Sequence, residues 1–109
     1  METGLISIEV VSKIHSVNID IQAVRRRYFV ESELRPEEVL RILRDHGIRA
    51  RQKNPKTLDV LFNYPSPLIF TDKEGNFHVL VGRKDDKIFI FNCIEKKMMS
   101  MAVEDFKAM

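Results

Sequence analysis

The chain has 109 residues, enough for one domain whose core needs neither metal nor cross-links, and it is 44% apolar with only four glycines and four prolines, which excludes a disordered or low-complexity protein. Eighteen basic against sixteen acidic residues leave a formal charge of +2, too mixed to make the chain as a whole an electrostatic footprint for nucleic acid. The longest apolar runs, Val60-Leu61-Phe62 and Ile88-Phe89-Ile90-Phe91, fall far short of the roughly 20 residues that a membrane-spanning helix needs.

In chain order, the first predicted element is a helix over 4–17. Ile6, Val10 and Ile14 recur every fourth residue beside Leu5, Ile8 and Val11, giving a broad apolar face and leaving Ser7, Glu9, Ser12 and Lys13 for water. No basic flank precedes this apolar stretch, so it does not read as a secretory signal, and the lone Cys93 can form no internal disulfide; a cytoplasmic location is expected. A second short helix is predicted over 19–28, opened by Asp20 as cap or first-turn acid. It carries the one concentrated basic patch, Arg25-Arg26-Arg27, which reads as a solvated helix face rather than a phosphate or lipid contact. The third helix starts at Pro36 with Glu37 and Glu38 in its first turn, lays Val39, Leu40 and Leu43 on the core, and ends at Gly47 in a left-handed cap.

From Ile48 onward the period changes. Residues 48–52 alternate, 66–72 form a compact apolar run, and 77–82 and 87–92 are rich in branched and aromatic side chains, as strands are. Glu74-Gly75-Asn76 and Lys84-Asp85-Asp86 supply turn chemistry for consecutive antiparallel hairpins, 96–101 adds a last strand, and 103–108 a terminal helix. Helices first and an antiparallel sheet afterwards define an α+β fold over a single domain, 1–109.

Two polar residues on these strands bear on function. Alone, His78 reads as a strand histidine satisfied by a neighbour, and Asn92 as a strand-end residue capping a turn. As a pair on neighbouring strands they gain meaning, because an amide oxygen accepting from an imidazole N–H fixes its tautomer, as in a Cys-His-Asn triad. The nucleophile of such a triad belongs at a helix start, where the dipole lowers a thiol pKa. Cys93 follows Asn92 on the same strand, so its side chain points to the opposite face; it reads as a small buried hydrophobe.

The helix start carries Glu2-Thr3-Gly4 instead. With the segments 34–51, Pro65-Ser66-Pro67 before an apolar run, Phe77-His78-Val79-Leu80 and a strand ending in Asn92, the order resembles cysteine peptidase family 39 over almost the whole chain. These are the N-terminal domains of ABC exporters that clip leader peptides from bacteriocins. The resemblance implies a papain-like fold, N-terminal helices packed on an antiparallel sheet. It places His78 on the family's catalytic histidine, Asn92 on its orienting residue and Thr3 on its nucleophilic cysteine. A threonine hydroxyl is far less acidic than a thiol, and known threonine nucleophiles use their own free amine as base. The glutamine that the family places ahead of its cysteine has no counterpart in these 109 residues. The resemblance therefore implies a degenerate site with no active catalytic residue: the cysteine-lacking domain of haemolysin-type (type I secretion) ABC transporters, in an inner-membrane bacterial protein. Its expected partners are an unfolded RTX-type export substrate and the transmembrane and nucleotide-binding domains of the parent transporter. No cofactor is expected in this domain, ATP belonging to the parent transporter, and no nucleic acid.

Two other functions compete. One is an active leader peptidase with an unusual nucleophile. The other is a small nucleic-acid-binding domain using Arg41, Arg44, Arg49, Arg51 and Lys53, whose binding would fall steeply with salt. A metal site is not expected, since His15, His46 and His78 lie far apart without acidic or cysteine ligand spacing.

Overall fold

A computed structural model describes residues 2–65 and 67–109; Met1, and Ser66 at the head of the predicted run 66–72, lie outside the described residues. The elements run α1 (Thr3–Ile14), α2 (Ile21–Arg27), α3 (Pro36–Asp45), α4 (Leu58–Phe62), β1 (Leu68–Thr71), β2 (Phe77–Lys84), β3 (Lys87–Asn92), β4 (Lys97–Ala102) and α5 (Val103–Lys107). The strands form one antiparallel meander in the order β1-β2-β3-β4, so the α+β expectation holds.

The first three helices end alike. Gly47 takes φ +81°, its N–H bonds to Arg44 O and that of Ile48 to Leu43 O, which satisfies two terminal carbonyls and buries Ile48. Ser16 and Phe29 repeat this geometry after α1 and α2 at φ 57° and 55°. At the other end of α2, Asp20 accepts from the N–H groups of Gln22 (3.0 Å) and Ala23 (3.3 Å), the cap that the sequence predicts. The basic triplet is divided: Arg25 pairs with Glu2, Arg27 stands over the Tyr28 ring, and Arg26 is exposed.

The sheet separates two apolar clusters. Leu5, Ile8 and Val11 of α1 and Val39, Ile42 and Leu43 of α3 pack with Phe77 and Val79 on one face; Leu80, Ile88 and Ile90 pack with Phe106 and α4 on the other. Alternation along β2 produces this division. A bulge at Val81 interrupts it, Leu80 pairing with Ile90 but Gly82 with Phe89, and the parity change sends Arg83 over the Phe62 ring at 4.7 Å.

Two expectations are corrected, and one element comes in addition. In α1 Ser7 and Ser12 are buried while Ile14 is 44% exposed, because the serine hydroxyls bond to Gly4 O (2.6 Å) and Glu9 O (2.8 Å) within the helix and so enter the core without an unmet partner. Residues 48–52 are not a strand; with no neighbour to pair with, the alternation there leads into irregular chain through residue 55. The sequence reading also missed α4, although Thr57 signals it by accepting from Val60 N–H at 3.3 Å.

Candidate functional site

Thr3 is the first residue of α1, as the resemblance requires, and is 0% exposed. Glu2 gives the helix no side-chain cap. The carboxylate of Glu33 takes that place from a distant loop. Its Oε2 accepts from Thr3 N–H (2.9 Å) and Thr3 Oγ1 (2.5 Å), and its Oε1 from the N–H groups of Gly4 (2.7 Å) and Leu34 (3.2 Å). An anion at a helix start meets both unpaired N–H donors and the positive end of the dipole. The Thr3 hydroxyl in turn accepts from Phe77 N–H at 2.8 Å, tying α1 to the first residue of β2. Gly4 lets the loop come this close: a Cβ there would meet Glu33 Oε1 and Leu34 Cβ at 3.1 Å.

His78, next along β2, sends its ring to the face opposite Phe77 and stacks against Phe70 with centroids 5.6 Å apart. It is 1% exposed, and both ring nitrogens are used. Nε2 bonds to Asp72 Oδ2 at 2.8 Å, and Nδ1 accepts from Cys93 N–H at 3.3 Å, which assigns the proton to Nε2. Asp72 is itself held in its hairpin turn, Oδ1 accepting from the N–H groups of Glu74 (2.9 Å) and Asn76 (3.0 Å). Burial pushes the Asp72 carboxyl up, but the hydrogen bonds from His78, Asn76 and Glu74 outweigh it and leave the pKa below the ordinary value.

Asn92 lies directly across from His78 in the β2–β3 register. Its amide oxygen nevertheless turns away, to the N–H groups of Ile94 (2.9 Å) and Glu95 (3.0 Å) in the next turn. The orienting contact expected between Asn92 and His78 is therefore not made, and Asp72 takes the imidazole. Local bonding wins for Asn92 because two N–H groups within three residues need no long-range ordering. Cys93 is fully buried, and burial, with the charge of Glu33, pushes its thiol up to about 12, so it is no nucleophile at neutral pH.

The sequence places Thr3, His78 and Asn92 on the right elements but does not bring them into one constellation. Thr3 bonds to Glu33 and Phe77, His78 to Asp72 and Cys93, Asn92 to its own turn. Glu33 and Asp72 were missed. Asp72 had a signal in its turn motif ahead of His78; Glu33 had none. Among the described residues no three His, Cys, Asp or Glu side chains gather as metal ligands, and no helix is long and apolar enough to cross a membrane.

Helices laid on an antiparallel sheet, with a helix start facing the strand that carries a histidine, define an α+β domain of papain-like cysteine peptidase type. The chain matches the Peptidase C39 family over residues 1–109 and belongs to that family. No curated protein matches it.

Proposed function

We propose that this domain is a peptidase-like receptor that binds and tethers an unfolded export substrate without cutting it, as part of a toxin- or RTX-protein-secreting ABC transporter. The observation that carries the reading is the state of the Thr3 hydroxyl, which donates to Glu33 and accepts from Phe77 N–H. A nucleophile needs a base within hydrogen-bond reach, and the imidazole at His78 is committed to Asp72 and to Cys93 N–H. The helix-start N–H that would meet an oxyanion is likewise occupied by a carboxylate.

A domain without chemistry is useful to an exporter through attachment. Tethering a weak binder by a short link raises the local cargo concentration to roughly the millimolar range, and weak binding lets the cargo leave. In this proposal the domain sits at the cytoplasmic mouth of the transporter and contacts its transmembrane and nucleotide-binding domains, where ATP is used.

The test is an NMR titration of the domain with an unfolded C-terminal fragment of an RTX protein encoded beside it, with a leader-peptide cleavage assay on the same sample. Localised shift changes with an intact fragment are expected. Cleavage that disappears in Thr3→Ala or His78→Ala would make the domain a working peptidase and sink the receptor reading.

A further inference from the structure

An open groove of about 1190 Å³ runs past α3, residues 48–55, α4 and β1. Its lining has a one-sided charge. Arg44, Arg49, Arg51, Lys53 and Lys107 border it, together with His15, and no aspartate or glutamate does, in a chain with sixteen acidic residues to place. Lys107 pairs with Glu104 and Arg44 holds the carbonyl of Ala50; Arg49, Arg51 and Lys53 are exposed and make no ion pair among the described residues. Inside this rim the lining is apolar, with Leu43, Leu61, Ile69 and Phe70.

The same groove contains a sheet edge. β1 is an edge strand of the sheet, all four of its residues line the groove, and beyond its pairing with β2 no backbone hydrogen bond reaches them among the described residues. An unpaired edge offers alternating N–H and C=O groups to another extended chain. Residues 49–55, bordering the same groove, donate and accept no backbone–backbone hydrogen bond among the described residues either.

We propose that this groove receives an extended, acidic segment of an unfolded polypeptide, added as a strand to the free edge of β1, with its apolar side chains on Leu61, Ile69 and Phe70 and its carboxylates facing Arg49, Arg51 and Lys53. The inference rests on the receptor reading and deepens it by naming the class of segment held and its place. Charge complementarity selects the sign of the partner. The free strand edge favours polypeptide over nucleic acid, because its alternating N–H and C=O groups match the backbone of another extended chain.

The test is fluorescence anisotropy of the whole chain with a labelled peptide alternating valine and aspartate, against the same peptide with lysine for aspartate. The aspartate peptide is expected to bind and the lysine peptide to bind at least tenfold more weakly. Arg49→Glu with Arg51→Glu, both exposed and so compatible with folding, should weaken the aspartate peptide roughly tenfold. Methylation of alternate peptide nitrogens should abolish binding, since the edge bonds are then lost. Equal binding of both peptides, binding unaffected by N-methylation, or binding of a single-stranded oligothymidine that is tighter than the aspartate peptide's and is lost in the same variants would each overturn the inference. So would self-association of the chain, by sedimentation, that the charge reversals remove, because the groove would then belong to a second copy. An unfolded, uncharged polypeptide whose NMR shifts map to another face would overturn the groove and leave the receptor reading standing; no shift with any unfolded chain would end both.

Discussion

Glu33 and Thr3, 30 positions apart, are joined twice over: Glu33 Oε2 takes both the backbone N–H and the hydroxyl of Thr3, at 2.9 and 2.5 Å. One carboxylate thus caps α1 from outside the helix and occupies the Thr3 hydroxyl as well.

Glu33→Ala leaves the N–H groups of Thr3, Gly4 and Leu34 and the Thr3 hydroxyl without this partner. Loss of a cap of this kind costs about 1–2 kcal/mol. Urea unfolding should show that loss, with Glu33→Gln falling between the two because it keeps one acceptor oxygen. An unchanged midpoint for the alanine variant would show that water replaces the carboxylate at no cost.

Thr3→Cys should not create a peptidase. The thiol would sit beside a carboxylate, which disfavours the thiolate, and the strand histidine His78 is bonded to Asp72. Incubation with a double-glycine leader peptide, followed by mass spectrometry, is expected to return intact peptide. Turnover by this variant would mean that His78 leaves Asp72 readily.

Acid should destabilise the fold partly through Asp72. Its lowered folded-state pKa means that the unfolded chain binds the proton more readily; the stability it contributes is full above the unfolded value of about 4 and is lost as pH falls through the lower folded value. Glu38, held low chiefly by the Arg35 backbone N–H, acts in the same direction. Asp72→Asn should therefore be less stable at neutral pH and show a shallower decline below about pH 4. Parallel declines for the two proteins in urea midpoints would remove Asp72 from the account.

Phe29 is 85% exposed at φ 55°, where a side chain with a Cβ is strained. Asparagine tolerates this cap position, so Phe29→Asn should raise stability by about 0.5–1 kcal/mol, read as a higher urea midpoint. A drop would reveal a contact for the ring in the folded chain.

The sequence by itself determined the elements whose signals are local. Asp20, Pro36 and Gly47 mark helix ends through bonds spanning a few residues, and the alternation of Phe77 to Val81 and Ile88 to Phe91 fixes strands with two packed faces. It also determined the family, and it put Thr3 at a helix start and His78 opposite Asn92. Tertiary structure alone decided which polar groups meet. Asp72 rather than Asn92 holds the imidazole, Glu33 rather than a neighbour caps α1, and cations from 44 to 53 share a groove with a strand edge that begins at 68. Periodicity constrains which face a side chain occupies, whereas a hydrogen bond between residues far apart in sequence depends on where the loops carrying them come to rest, and that is set by packing of the whole chain.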